Sequence, residues 1–585
     1  MFLSFTTMSK RARSSSPIVI AKKSRTNYAF IPKKVASIGD ANAVQADPPL
    51  PRLLRANKDA IEDPPKGNCI VYWMRMNDLR IIDNRALAQA SARAVSDSVP
   101  LIVLFVLSPQ DYVAHDRSKR RIDFTLRNLR IIKSSLTLLD IPLYTIMHTT
   151  RRTLPERVLS ILQSLQTTQL FANIEYELDE LRRDIRICQL AKEYKIRPNF
   201  VHDKCIIEPG VLETKNGKAY TVYSPYQRNW IATLNSNIST YLDSSPIPQR
   251  NSIIVRQHPI FGPLFEIAVP DFVDGFKLED IDKETMQKVW PAGADAAKEV
   301  LSRFLHTKSR VSQIGAADPL ASEAEVSEKR SRVIAYKDVR DRADRDTTSR
   351  ISPYLSAGVI SARECVRASM VLLDITKVEA GRTTGVGKWV QEIAWRDFYN
   401  NVLASYPRVS MGRPFQEKMA DVKWEVNEEH LNAWKQGKTG IPIVDAAMRQ
   451  VNTMGWMHNR MRMIVAMFLS KDLMLDWRLG ERYFMEQLID GDLASNNGGW
   501  QWSASTGVDP APYFRLFNPY SQSVKADPTG DYIRHFVEEL KNLRGPEVHN
   551  PPVKIADKLG YPRPIVQHQE VRERALRRYK TPGQE

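Results

Sequence analysis

LIVLFVL, residues Leu101–Leu107, carries no polar side chain. Its β-branched and aromatic residues fill the length of a strand, far short of the ~20 residues that cross a bilayer. A run apolar at every position, without alternation, reads as a strand covered on both faces, as in a parallel sheet. CIVYW (Cys69–Trp73) upstream has the same character, and IPLYTI (Ile141–Ile146) downstream is a weaker third strand. Helical periodicity lies between them, over Asn84–Ala94 and Ile122–Leu139. Strand–helix–strand repetition predicts an α/β N-terminal domain over residues 67–205, a doubly wound parallel sheet. Such a sheet is expected to open a ligand crevice at the C-terminal ends of its strands. No G-x-G-x-x-G follows the first strand, so the usual dinucleotide fingerprint is missing.

Outward from this domain the chain changes character. Residues 206–285 hold turn chemistry (EPG, NGK, SSPIP, FGP) and read as a long linker over the surface. Residues 286–570 read as helix after helix, an all-α domain. The Ala/Ser/Glu-rich stretch Gly315–Lys329 interrupts it as a surface loop, and residues 571–585 read as a C-terminal tail. Residues 1–66 read as a disordered basic leader. Its clusters Lys10-Arg11 and Lys22-Lys23-Ser24-Arg25 have the spacing of a bipartite nuclear import signal. The same acid-free, Ser- and Arg-bearing start is that of a mitochondrial presequence, and Met8 offers a second start. Nucleus, with mitochondrion as a second address, is the expected location, and no membrane partner is expected.

Composition narrows the function. Of the 585 residues, 43% are hydrophobic, which excludes a chain disordered throughout. Lys and Arg number 84 against 67 Asp and Glu, a net charge of +17. Eight of those basic residues sit in the first 39 positions, and the rest still carries +9. A body basic in its own right suits a partner with phosphates, nucleic acid above all. The four cysteines are scattered singly, which argues against a disulfide framework or a zinc ribbon. His202 and Cys205 have metal-like spacing but no second pair nearby. GKTG at Gly437–Gly440 lacks a preceding strand, and Asn432 stands where a phosphate loop needs glycine.

Chemistry concentrates in the helical region. Eight of the eleven tryptophans fall between Trp389 and Trp502: Trp389, Trp395, Trp424, Trp434, Trp456, Trp477, Trp500 and Trp502. Indole stacks on nucleobases and is easily oxidised; its alternative use is bulk in a core. In WVQEIAWRDFY (Trp389–Tyr399), Glu392, Trp395 and Tyr399 share one helical face, with Arg396 at its margin. In GWMHNRMRM (Gly455–Met463), Asn459, Arg462 and Met463 share another, and Arg460 points elsewhere. DGDLASNNGGWQW (Asp490–Trp502) offers carboxylates for an arginine and for a ribose hydroxyl. Its Gly498-Gly499 pair lets backbone approach a flat ligand. TSRIS (Thr348–Ser352) precedes a helical run, Pro353–Leu373, and is a seat for phosphate. A flavin dinucleotide fits this mixture better than a plain nucleotide.

These motifs resemble those of the DNA photolyase/cryptochrome family. WMRMNDLRIIDNRAL (Trp73–Leu87) looks like the family's opening. TSRISPYLSAGVIS, WVQEIAWRDFY, GKTGIPIVDAAMRQ, GWMHNRMRM and IDGDLASNNGGWQWSASTG follow in its order. The likeness runs from about Cys69 to His568 and is greatest to class I cyclobutane pyrimidine dimer photolyases of fungi and microbes. It implies FAD, active as FADH⁻, held by Tyr336, Thr348, Ser349, Arg350, Ile351, Ser352, Trp389, Asn459, Arg462, Asp490, Gly491, Asp492 and Asn496. It implies DNA contacts at Arg340, Glu392, Trp395, Arg396, Asn459, Arg460, Met463, Trp502 and Arg515. Trp424, Trp477 and Trp500 are its electron-relay tryptophans, and Glu392 and Asn496 join them as catalytic residues. The implied reaction is light-driven: the dimer in UV-damaged DNA is flipped out, accepts one electron from excited FADH⁻, splits, and returns the electron. A monomer is expected.

An antenna chromophore is also implied. Ser410-Met411, then Gly412-Arg413, stand where folate-binding members have a Cys-Lys or Cys-Met pair. His115, in AHDRS, stands where they place a histidine. The resemblance therefore favours 5,10-methenyltetrahydrofolate over a deazaflavin. The main rival is a cryptochrome, a blue-light receptor acting alone or alongside repair. Against it stand the stacking indole Trp395, Asn496 in place of Asp or Cys, and no extended tail before Glu585. A (6-4) photolyase would want a histidine pair, and Met457-His458 with Arg462-Met463 supplies only one. A non-enzymatic nucleic-acid-binding protein explains the charge but not the flavin constellation.

Overall fold

The computed structural model describes residues 35–62, 64–310, 318–320, 324–327 and 329–583. Both import clusters, Met8 and seven of the fifteen residues of the Gly315–Lys329 loop lie outside the described residues. Five strands form one parallel sheet: β1 (Ile70–Met74), β2 (Leu101–Leu107), β3 (Leu143–Met147), β4 (Gln169–Asn173) and β5 (Arg197–Val201). Their spatial order is β3-β2-β1-β4-β5, with β1 central. Alternation sorts the apolar runs into two cores. Ile70, Tyr72, Met74, Leu101, Val103 and Phe105 enter one, and Val71, Trp73, Ile102 and Leu104 enter the other. Both faces are covered, which is why the sequence shows no polar alternation there.

Beyond the C-terminal ends of β2 and β4, Ala114–Arg117 and Glu177–Asp179 line a cavity where the crevice is expected, while a polar network occupies the end of β1. Arg75, just past β1, lies 4.1 Å over the Trp73 ring. Its guanidinium bonds Glu175 at 3.1 Å and Asp184 at 2.9 Å. Asp78 accepts from the Tyr72 hydroxyl at 2.7 Å and from Asn173 at 2.8 Å. Arg75 and Asp78 thus anchor the chain just past β1, although Arg75 Nε and Nη2 keep no hydrogen-bond partner.

Three predicted boundaries are corrected. The leader is not disordered up to residue 66: helices span Ile38–Ala46 and Pro49–Lys58. Pro49 suits a first helical turn, and the spaced Leu50 and Leu53 are buried beside helix Leu178–Ala191. The linker contains helix Tyr223–Ser236, whose Tyr223, Tyr226 and Trp230 are buried against helix Gly385–Ser405. Trp230 donates to Asp397 at 3.1 Å, which makes this part of the connector a core element. The tail is helical as well. Helix His568–Lys580 buries Ala575 and Tyr579, and His568 pairs with Asp472 at 2.5 Å.

The helical run after Thr348–Ser352 is two helices, Ser352–Ala357 and Ala362–Leu373. They part at Gly358, where φ is +66° and a Cβ would lie 1.9 Å from the Asn77 carbonyl oxygen. Only glycine lets the two domains meet there, and the Leu79 amide donates to Ala357 at 3.1 Å across the same seam.

Candidate functional site

Helix Gly385–Ser405 is the main wall of the site. Thr384 caps it by accepting from the Gly387 amide at 3.0 Å. Gly385 lets helix Arg332–Val339 cross closely, since a Cβ there would meet the Val333 carbonyl at 2.1 Å. The crossing sets Tyr336 and Arg340 beside Trp389 and Glu392, on the lining of a cavity of about 620 Å³. That volume is ordinary for a cofactor site.

Most predicted site residues line this cavity. They are Tyr336, Arg340, Thr348, Ser349, Arg350, Ile351, Ser352, Trp389, Glu392, Trp395, Arg396, Asn459, Arg462, Met463, Asp490, Gly491, Asp492, Asn496, Trp500 and Trp502. Tyr223, Arg382, Lys388, Tyr399, Trp456, Ser495 and Gly499 also line it. Six of the lining side chains are cationic (Arg340, Arg350, Arg382, Lys388, Arg396, Arg462) against three carboxylates. The surplus favours an anionic occupant.

One polar wall is built around Asp490. Its Oδ2 accepts from Ser352 Oγ at 2.7 Å and from Arg462 at 2.7 Å. Ser352 Oγ in turn accepts from the Trp456 indole at 3.2 Å. Asp492 caps helix Leu493–Ser503, accepting from Ser495 N at 3.0 Å, and pairs with Lys204 of the α/β domain at 2.8 Å. Burial would raise the Asp492 carboxyl, but Lys204 and Arg396 hold it well below the usual range. Asn496 donates to the Glu481 carbonyl at 2.9 Å.

A flavin dinucleotide passes a fit test here. Asp490, Arg350 and Trp500 line the cavity, and Asp490 Oδ1, Arg350 Nη1 and Trp500 Nε1 are buried with no hydrogen-bond partner within the protein. A polar ligand with both donors and acceptors would complete them. The glycine pair splits between two roles. A Cβ on Gly499 would enter open space on the lining, where a ligand can approach backbone. A Cβ on Gly498 would strike the Tyr399 ring at 2.2 Å, so that glycine serves packing.

The aromatic wall centres on Trp395. Tyr223 lies parallel to it, with ring centroids 3.4 Å apart at 8°. One face of the indole is thus covered by a residue from the connector, and the side chain is half-buried. Glu392 pairs with Arg340 at 2.5 Å. Burial pushes the Glu392 carboxyl above its ordinary range, against the pull of Arg340 and Lys388. Arg396 donates to the carbonyls of Lys204 at 2.6 Å and Leu355 at 3.4 Å, so its guanidinium braces backbone from both domains.

Trp424, Trp477, Arg460, Arg515 and His115 stand off the lining. Arg460 pairs with Asp341 at 2.5 Å and lies 5.9 Å from the Phe517 ring centre. Arg515 is exposed. Trp500, on the lining, packs on helix Trp477–Gln487 at Gly480, where a Cβ would meet its ring at 2.1 Å. Trp477 begins that helix and is buried, and Trp424, in the same cluster, is half-buried. Trp500 thus lines the cavity, Trp477 is buried and Trp424 is half-buried, all within one cluster.

His115 lines a second cavity of about 370 Å³ together with Ser410, Met411, Gly412, Arg117, Arg478 and Met485. Two sequence features far apart in the chain thus meet at one place. His115 Nε2 lies 3.0 Å from Glu180 and 3.6 Å from Asp111. Burial would lower its pKa, but these carboxylates push it up to about 10. Ala36 joins this lining, held by the Met411 carbonyl at 3.2 Å and by Arg413 at 2.8 Å.

Sequence reasoning missed Tyr223, Lys388 and Arg382. Tyr223 gave no local sign, because its partner lies on a distant helix. Lys388 sits just ahead of WVQEIAWRDFY, and its one-turn offset from Glu392 was the available clue.

Comparison with known proteins agrees with this geometry. Residues 70–249 match the family model described as DNA photolyase. Residues 389–581 match the FAD binding domain of DNA photolyase. A deoxyribodipyrimidine photo-lyase of Neurospora crassa is 42% identical over 536 residues, covering 88% of this chain and 82% of the relative. The Escherichia coli protein of the same name is 36% identical over 513 residues, covering 87% and 98%. The crystal structure of a class III photolyase from Agrobacterium tumefaciens superposes with a TM-score of 0.71 at 27% identity, covering 89% of this chain and 99% of that one. The fold, the cavity lined by the family's motifs and these likenesses agree: the chain belongs to the DNA photolyase family.

Proposed function

We propose that this protein repairs cyclobutane pyrimidine dimers in UV-damaged DNA, using light and FAD. The observation that carries the reading is the large cavity, where unpartnered polar groups suited to a dinucleotide meet a half-exposed Trp395 under a cationic lining. FAD in its reduced form supplies an electron when it absorbs blue light. Every other task falls to the chain.

Asp490, Arg462 and Ser352 form one polar unit that would orient the cofactor, with Thr348–Ile351, Tyr336, Trp389, Asn459, Gly491, Asp492 and Asn496 around it. Trp395, backed by Tyr223, offers its other face to a flipped pyrimidine pair, with Trp502 and Met463 beside it. Base–aromatic stacking of this kind is worth roughly 1–3 kcal/mol per base. A dimer is already poorly stacked, so it leaves the duplex more cheaply than normal bases. Arg340, Arg460 and Arg515 are the phosphate contacts, while Arg396 braces the two domains. Trp500, Trp477 and Trp424 would carry an electron inward to reduce oxidised cofactor. Glu392, whose carboxyl burial raises against the pull of Arg340, would in its protonated form donate a hydrogen bond to the dimer as negative charge develops on it.

The second cavity is read as the antenna site for 5,10-methenyltetrahydrofolate. Supporting this are His115 and Met411, at the places the resemblance gives, and its Met411, Met485 and Leu493, which suit a flat ring; its four arginines are matched by four carboxylates. No helix among the described residues is long and apolar enough to cross a membrane. The yeast relative, 32% identical over 563 residues, is named a mitochondrial photo-lyase. That name and the two basic clusters support nuclear and mitochondrial targeting of this chain.

Blue-light-dependent restoration of dimer-containing oligonucleotides by the purified, reduced protein tests the function. Protein that holds FAD and binds such DNA but restores none of it under light would overturn the reading in favour of a photoreceptor.

A further inference from the structure

Helix Asn459–Met467 ends in a π-helical turn, Phe468–Asp472, in which all five residues are buried. Such turns insert one extra residue and redirect its side chain, often at functional positions. Here the turn buries the ammonium of Lys471, whose side chain is fully enclosed. A lysine enclosed in this way needs partners for every N–H. Lys471 Nζ donates to Ser505 Oγ at 2.9 Å and to the Arg515 carbonyl at 3.0 Å, and lies 5.6 Å from the Tyr579 ring centre. The carboxylate next in sequence, Asp472, is taken by His568. Burial lowers the Lys471 pKa to about 7, so the site tolerates the charge at a cost.

Both acceptors belong to the loop that follows Trp502. That loop is strained: Ser505 at φ +58° and Asp509 at φ +40° are non-glycine residues in the left-handed region. It is held at further points as well, among them the Thr506 and Gly507 carbonyls, which accept from Gln416 at 2.9 and 3.1 Å. The Ala511 amide donates to Trp502 at 3.2 Å, and the Tyr223 amide donates to Asp509 at 3.1 Å. Tyr223 is the ring stacked on Trp395. The loop thus connects the aromatic wall to the exposed Arg515, and Lys471 ties both its start and its far end to the helical core.

We propose that Lys471 is a positioning residue for lesion binding: it clamps the 505–515 loop at Ser505 and Arg515, and so aims the Arg515 guanidinium at a phosphate beside the dimer. The proposal rests on Arg515 being a phosphate contact. Lys471 stands outside the cavity lining.

The test is a double-mutant cycle in the full-length FAD protein. Affinity for dimer-containing duplex is measured across a salt series. Lys471→Met and Arg515→Ala should each weaken binding about ten-fold, the scale of one charge-assisted hydrogen bond. Each should flatten the plot of log affinity against log salt by about one. The double variant should bind no more weakly than either single one, because both act at the same contact. FAD content and melting temperature are read in parallel. Additive losses, or parent affinity in Lys471→Met, would overturn the clamp. Parent affinity in Arg515→Ala would remove the phosphate reading and the clamp with it, an outcome visible apart from the lysine variant. Should Lys471→Met fail to fold, Ser505→Ala decides: it removes one acceptor and should weaken binding in the same direction, and parent affinity there would refute the clamp.

Discussion

Replacing Trp395 with alanine isolates the aromatic contribution to damage recognition. Stacking on a free indole face is worth roughly 1–3 kcal/mol per base. The geometry places this case toward the lower part of that range. Tyr223 already covers one face of Trp395 at 3.4 Å and 8°, so only the other is available to DNA. Truncation would also uncover the Tyr223 ring, a second platform lying directly behind the first. The expected loss on dimer-containing DNA is therefore about 1–2 kcal/mol, a factor of roughly 5–30 at about 1.4 kcal/mol per decade. Undamaged duplex, held through phosphates, should lose less than about two-fold. The assay is fluorescence anisotropy on matched oligonucleotides at one salt concentration, with FAD content measured on the same samples. Tyr223→Leu in the Trp395→Ala background should remove the fallback platform and bring the loss closer to the full range. Equal losses on damaged and undamaged DNA, with FAD retained, would sink the stacking role and leave Trp395 as a packing residue.

Other expectations follow from the same geometry. Asp341→Asn should free Arg460 from its ion pair and raise affinity for DNA, whereas Arg460→Ala should lower affinity and flatten the salt dependence; parallel salt slopes in both would count against a phosphate contact there. Trp424→Phe should block light-driven reduction of oxidised flavin by external reductant while sparing repair by chemically reduced enzyme. Unchanged photoreduction would remove Trp424 from the relay. Glu392→Ala should retain FAD but repair fewer dimers per absorbed photon, and Glu392→Gln, which keeps a donor, should lose less; an unchanged yield at saturating substrate in the alanine variant refutes the role. Gly498→Ala, driven into the Tyr399 ring, should destabilise the protein by about 1–3 kcal/mol. Gly499→Ala should leave the apoprotein at least as stable yet weaken FAD binding, and thermal melts with and without FAD separate the two cases.

How far the fold could be read depended on whether a segment's burial shows in its own composition. β2 is apolar at every position because its neighbours cover both faces, and the run Leu101–Leu107 is the strand observed. β4, QLFAN, is just as buried but begins with Gln and ends with Asn. Asn173 is tolerated because it donates to Asp78 and to Asn84, partners no local pattern reveals. β5, RPNFV, lies at the edge of the sheet, where a proline is allowed, and so it resembles a turn in sequence. Helix Pro49–Lys58 was hidden for a related reason: prolines and basic residues dominate its composition, while two leucines one turn apart do the packing.

In the site, the helical motifs were legible because one face of one helix is local information. Glu392, Trp395 and Tyr399 share a wall because their spacing requires it. The arginines were the harder case. Residue type supplies a permanent charge and a fork of donors, but not the acceptor that claims them. Arg462, Arg460 and Arg396 are chemically the same group, and each meets a different fate. Arg462 reaches a carboxylate 28 residues on and becomes part of the cofactor wall. Arg460 finds Asp341, 119 residues back, in a pair near the surface. Arg396 finds the Lys204 carbonyl, 192 residues back, and joins two domains. A solvated phosphate must displace the partner already present, and the ease of that displacement differs among the three. It is least costly for Arg460, whose carboxylate partner is half-exposed at 48% and can turn to water. It is most costly for Arg396, whose release would strand a carbonyl oxygen at a domain seam. The order in which these arginines can serve DNA is therefore set by what they would leave behind.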